Sequence, residues 1–281
     1  MSTAVADNTV SRGTASGGIW DYISASRLNL WLKCPLAFRL RYIDGIKMVT
    51  TPNLFLGQRV HAGLEIHYRH RMLGVQLDAS DVVAQMDAEW EEAVAQQSMR
   101  FDNAEQEANL QQHAGLLVQA YLEQLRHDEP VPLAVEATLE TPLVDPFTGE
   151  DLGIRLLGIT DLVLPSVDGA TIIDFKTSGR SGAPLEITHE IQLSVYSHLY
   201  RGVTGQEESG LEIRSLVKTK QPKIDVHHYP ARTSSHMRRL FAIIHEYLDC
   251  LAAGRYNYRP GWTCNMCDFC DKHCSAWCGG D

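Results

Sequence analysis

The sequence has no apolar run approaching the roughly 20 consecutive residues that a helical membrane span requires, so no membrane segment is expected. It also lacks an excess of positive charge. Twenty-five Lys and Arg stand against 35 Asp and Glu, and the net −10 excludes a uniformly basic nucleic-acid coat but not a local basic patch. No internal repeat is visible, so a solenoid or propeller is not expected. Met1 to Gly18 carries neither a basic stretch nor an apolar core, which reads as a disordered leader rather than a secretion signal. A disulfide framework is missing too. The seven cysteines are odd in number and unevenly spread, which points to a cytoplasmic protein with a metal site. What remains is ordinary globular composition: 281 residues, 44% hydrophobic and 21% charged, enough for a substantial core.

The pattern of elements changes along the chain. Ser24 to Gly45 reads as one capped helix, with Leu28, Trp31 and Leu32 at helical spacing. Further helices are expected over Asn53–Met72, Asp81–Gln97 and Asn103–His127. Short β-branched runs follow (133–144, 154–165 and 170–178), bounded by turn residues. A helix over 185–202, strand-like sequence over 211–230 and a helix over Ser234–Ala253 complete the order. The expected divisions are a leader (1–18), a helical region carrying Cys34 and His61 (19–130), an α/β core (131–255) and a cysteine-rich tail (256–281).

Two acids and a lysine stand out. Asp161 is expected to end the strand-like stretch Ile154–Leu162, and Asp174-Phe175-Lys176 to end the next. Asp174 and Lys176 share a face because side chains alternate along a strand. A lone Asp-x-Lys fits a surface ion pair. Here Ile172 and Ile173 mark a buried strand, and charges leaving such a strand need partners. Hard oxygen ligands suit Mg²⁺ or Mn²⁺, while the lysine can orient water or stabilise developing charge.

The tail places Cys264, Cys267, Cys270, Cys274 and Cys278 within fifteen residues. C-x-x-C turns hold two thiolates on one centre, and a local zinc knuckle or an iron–sulfur cluster would each fit. Cys264 to Cys274 reads C-x2-C-x2-C-x3-C, the ferredoxin spacing, with Ser275 where proline is usual. Cys250 reads as a core residue.

In order along the chain, Gly57-Gln-Arg-Val-His61, Gly158-Ile-Thr-Asp161, Asp174-Phe-Lys176 and Gln192-Leu-Ser-Val-Tyr196 resemble the motifs of the PD-(D/E)XK nuclease superfamily. With Cys34 and the tail they are similar to the RecB-like exonucleases that carry an iron–sulfur cluster, which include CRISPR-associated and AddB-type members. Asp174 stands at the Asp/Glu position.

The resemblance implies a restriction-endonuclease-like mixed sheet flanked by helices. It implies that His61, Asp161, Asp174 and the Phe175 carbonyl bind Mg²⁺ or Mn²⁺, and that Lys176 positions the attacking water. Gln192 and Tyr196 would hold the lysine or DNA phosphate. One cysteine before the core and three after it would bind a four-iron four-sulfur (4Fe–4S) cluster: Cys34, Cys264, Cys267 and Cys274, with Cys270 as substitute for the last. Glu136 is a candidate further acid, and Glu65 could orient the His61 ring.

The expected activity is a metal-dependent DNA exonuclease on single strands or ends, in repair, recombination or defence, with helicase or CRISPR/defence proteins as partners. A non-catalytic DNA-binding scaffold is the alternative. Basic residues around Arg27–Arg41, Arg59–Arg71, Lys218–Lys223 and Arg232–Arg239, with Trp31, Tyr42 and Tyr68 for stacking, are the expected DNA contacts.

Overall fold

The computed structural model describes residues 18–125, 128–182 and 186–274. The expected leader (1–18), apart from Gly18, and Cys278 lie outside the described residues. A two-residue strand β1 (Tyr22–Ile23) leads to Ser24, whose hydroxyl accepts the Arg27 N–H and caps α1 (Ala25–Lys33). The single helix expected up to Gly45 is two. Pro35 pushes the residue before it out of helical conformation, so Cys34 is extended (φ −165°, ψ 111°) and α2 (Pro35–Tyr42) starts afresh. Cys34 thereby stands at a corner between helices.

Thr51 caps α3 (Pro52–Met72) in the same manner. The helix expected over Asp81–Gln97 breaks at Glu89 into α4 (Ala79–Ala88) and α5 (Trp90–Gln96). The break accompanies burial of Trp90, which meets Phe55 edge-on at 5.2 Å. α6 (Ala104–Gln124) closes the helical run, capped by Asn103.

The strands are β2 (Ala134–Val144), β3 (Asp151–Ser166), β4 (Gly169–Ser178), β5 (Gly210–Val217) and β6 (Lys223–Pro230). They form one mixed six-stranded sheet in which β3 pairs with β1, β2 and β4. β4 and β5 are parallel, joined across α7 (Glu186–Thr204), and α8 (Ser234–Ala252) follows β6. Ile173 and Phe175 pack with Phe55, Leu64 and Tyr68 of α3. Ile172 packs with Leu193 and Tyr196 of α7 in a separate cluster, so successive β4 residues enter different cores. α1, α7 and α8 share a further core around Trp31, Leu199 and Ile244.

One departure from expectation sets up the site. Asp161 lies inside β3, not at its end, because the strand continues to Ser166. β3 and β4 pair from Ser166↔Gly169 to Leu162↔Ile173, while β1 pairs with β3 only at Arg155 and Leu156. The edge of β3 between these contacts is open, and Asp161 stands at the fork. No helix among the described residues is long and apolar enough to cross a membrane.

Candidate active site

Three elements meet at the fork. Asp161 Oδ2 accepts the Phe175 N–H at 2.7 Å, which ties the β3 carboxylate to β4. α3 brings His61 in: its Nδ1 lies 3.6 Å from Asp161 Oδ2 and 3.9 Å from Glu136 Oε1, and its Nε2 lies 3.0 Å from the Phe175 carbonyl oxygen. Glu136, on β2, has φ +46°, a left-handed conformation that disfavours a side chain and marks local strain. Ligand atoms from His61, Glu136 and Asp161 all lie within 4.8 Å of one another.

The electrostatics fit a cation. Burial and the neighbouring Asp174 carboxylate hold the Asp161 carboxyl well above the usual carboxylate range. Burial alone would lower the His61 imidazole, but the carboxylates of Glu136, Asp161 and Asp174 raise it overall. Half-buried acids crowded this way destabilise one another unless a positive charge stands among them. Imidazole nitrogen with carboxylate and carbonyl oxygens is a donor set that Mg²⁺ or Mn²⁺ accepts. Glu65 pairs with Arg69 at 2.9 Å, and the groups found against the His61 ring are Glu136, Asp161 and the Phe175 carbonyl.

Asp174 is turned toward a second group. Its two oxygens lie 3.0 and 2.7 Å from Lys176 Nζ, and Oδ1 also accepts from Gln192 Nε2 at 2.8 Å. Gln192 accepts from Lys176 Nζ through Oε1 at 3.0 Å and donates a second N–H to the Tyr196 hydroxyl at 2.8 Å. One glutamine thus fixes both members of the Asp–Lys pair. Tyr196 is buried, and burial with the nearby Asp174 and Asp161 charges pushes its phenol far up, so it remains protonated. It serves the core and the site together. The glycine of each flanking motif allows close approach. A Cβ on Gly158 would come within 2.7 Å of the buried Leu199 on α7, and one on Gly57 within 3.2 Å of Thr177 on β4.

A model of the PD-(D/E)XK nuclease superfamily matches residues 22–275. The chain belongs to that superfamily. A solved structure from Eubacterium rectale, provisionally described as an exonuclease, aligns with TM-score 0.57 and 15% identity over 89% of this chain and 87% of that one. The structure of SSO0001 aligns with TM-score 0.46 and 15% identity over 89% and 84%. No curated protein matches the sequence. PD-(D/E)XK nucleases use divalent metals, and the His61–Glu136–Asp161 group is an acidic set able to hold one.

Much of the basic and aromatic surface expected to meet DNA is committed elsewhere in this nuclease. Trp31 and Tyr68 are fully buried and cannot stack on a base. Arg27 is buried and donates to the Tyr22 carbonyl at 2.6 Å. Arg59 pairs with Glu89, Arg71 with Glu129, Arg232 with Glu186 and Arg239 with Glu190. Lys218, Lys220 and Lys223 follow or open strands at the end of the sheet where Lys176 lies, and Lys218 donates to Asn53 at the start of α3 at 2.9 Å. Sequence spacing cannot separate these classes, since a paired arginine and a free one look alike in one dimension.

The cysteines are distant in sequence and close in space. Cys34, Cys264, Cys267, Cys270 and Cys274 line one cavity of about 410 Å³. Phe269 is buried against Leu36, Ala37 and Leu40 of α2, and Arg259 donates to the Leu32 carbonyl at 2.7 Å, so both ends of the described chain meet here. The Gly261 N–H donates to Cys264 Sγ at 3.4 Å, the kind of hydrogen bond that stabilises a thiolate. Cys250 packs at the margin of the core formed by α1, α7 and α8.

Proposed function

We propose that this chain is a metal-dependent deoxyribonuclease that removes nucleotides from single-stranded DNA or DNA ends. The observation that carries the reading is the Lys176 ammonium, held by Asp174 and Gln192 beside the His61–Glu136–Asp161 group. His61, Glu136, Asp161 and the Phe175 carbonyl would hold Mg²⁺ or Mn²⁺, with Asp174 next to them. The ion supplies a lowered water pKa and neutralises phosphate charge. Lys176 orients the attacking water and faces the charge that develops on phosphorus oxygens. Gln192 fixes the lysine, and Tyr196 fixes Gln192. Lys218, Lys220 and Lys223 supply positive charge along the strand's path, in keeping with an exposed, salt-sensitive DNA contact.

The five-thiol cavity supports a 4Fe–4S cluster on Cys34, Cys264, Cys267 and Cys274, with Cys270 as the substitute for Cys274. A cluster there joins the corner at Cys34 to the tail and contributes to folding as a structural metal does. Anaerobic protein is expected to be brown, and Cys34→Ser colourless; stoichiometric zinc without iron would replace the cluster by a zinc site. End-labelled single- and double-stranded DNA incubated with Mg²⁺ or Mn²⁺ tests the activity. Shortening from the ends by wild type and none by Lys176→Ala is the expected result. Binding without cleavage would instead establish a scaffold.

A further inference from the structure

α7 presents three faces, and two are occupied. Glu190 accepts from Arg239 of α8, while Ile191, Val195 and Leu199 enter the core shared with α1 and α8. Leu193 and Tyr200 pack on Ile172 and Ile213 of the sheet. The stripe facing the site is His189, Gln192 and Tyr196, spaced i, i+3 and i+7 along one side of the helix, with Tyr196 also packed on Ile172. Tyr196 is its buried floor, and Gln192 is its middle, bonded to Asp174 and Lys176. His189 is its half-buried end, one turn N-terminal to Gln192.

The charges His189 feels agree with that placement. Burial lowers its imidazole pKa, Lys176 lowers it further, and Asp174 opposes them. Gln192, one turn along the same stripe, is bonded to both Lys176 and Asp174, which places His189 on the α7 side of the site. Its imidazole makes no hydrogen bond to another described residue. A neutral imidazole keeps one N–H donor and adds no charge beside Lys176.

Resting on the nuclease reading above, we propose that His189 is a further catalytic residue that donates an N–H to a phosphate oxygen of the bond being cut, from the α7 side of the site. Such a donor strengthens as charge builds on the phosphate oxygens.

The test compares wild type, His189→Ala, His189→Gln and Lys176→Ala on end-labelled single-stranded DNA with Mn²⁺. Melting temperature and Mn²⁺ affinity by calorimetry are measured on the same samples. His189→Ala is expected to lower kcat on the order of 100-fold, with both other readouts unchanged. His189→Gln, which restores an N–H donor, is expected to regain at least about tenfold of that loss. Wild-type turnover in His189→Ala would overturn the assignment. So would a loss that His189→Gln does not relieve and that comes with a lower melting temperature or weaker Mn²⁺ binding. An inert wild type would overturn the nuclease reading itself, and this role with it.

Discussion

At the scale of single residues the site divides into a group that suits a cation and a group that holds a lysine. Lys176→Ala is expected to lower kcat by about 100- to 1000-fold while leaving Mn²⁺ affinity in place, because the ammonium is outside the His61–Glu136–Asp161 set. Steady-state kinetics with parallel calorimetry checks both halves. Gln192→Ala removes the lysine's anchor without removing its charge, so a smaller loss is expected. Glu136 carries a different prediction. Its left-handed backbone costs on the order of 1 kcal/mol, strain that glycine would not feel. Glu136→Gly is therefore expected to weaken Mn²⁺ binding without lowering the melting temperature. A lower melting temperature with intact Mn²⁺ affinity would mean that the residue is structural.

At the scale of elements, the cysteine cavity and the candidate active site share one connector. Between α2 and α3, Ile46 packs against the Cys34 cluster of side chains and Met48 lines the cavity, after which Thr51 caps α3, the helix that bears His61. Filling of the cavity and placement of His61 are therefore expected to be coupled through the connector 43–51. Protein stripped of the proposed iron–sulfur cluster, and still folded by circular dichroism, is expected to bind Mn²⁺ more weakly than wild type. His61→Ala is expected to weaken Mn²⁺ binding without bleaching the cluster. Equal Mn²⁺ affinity with and without the cluster would show that the two sites are independent. The motif residues of these elements were readable in sequence, and so was the helix that carries His61. The corner at Cys34 is announced in sequence only by Pro35, and a proline signals a helix boundary without fixing how the chain turns there. Glu136 stayed an open candidate for a related reason. In sequence it is one acid in an alternating strand, and its value depends on the β2–β3 register that sets it beside Asp161.

At the scale of the whole molecule, α7, β5 and α8 are tied by one buried carboxylate. Glu208 accepts from Arg201, from Ser197 and from the Arg232 backbone N–H. Burial would raise its pKa, but these bonds outweigh burial and hold it below the usual glutamate value. A carboxylate depressed in the folded state stabilises the fold above its unfolded pKa of roughly 4.3, and that stability is lost as pH falls through the folded value. Glu208→Gln is expected to lower stability at pH 7 by about 3 kcal/mol, since Arg201 loses its closest carboxylate and keeps only Glu207 at 3.9 Å and the Arg232 carbonyl. The variant should then lose less further stability than wild type between about pH 5 and 3. Thermal melts across that range check the sign, and parallel acid limbs would contradict it.

The sequence by itself determined the order of elements, the superfamily motifs and the presence of a thiol-rich tail, because each rests on local spacing: helical periods, strand alternation and C-x-x-C turns. Only the tertiary structure decided which charged groups remain available. Trp31, Tyr68 and Arg59 have side chains suited to DNA, yet packing and ion pairing hold them inside the protein. It also decided that Asp161 and Glu136 face His61, while Asp174 turns to Lys176 and Gln192. Strand pairing fixes those directions through hydrogen bonds between residues far apart in the chain, and packing of the tail on α2 likewise brings Cys34 to residues more than two hundred positions later.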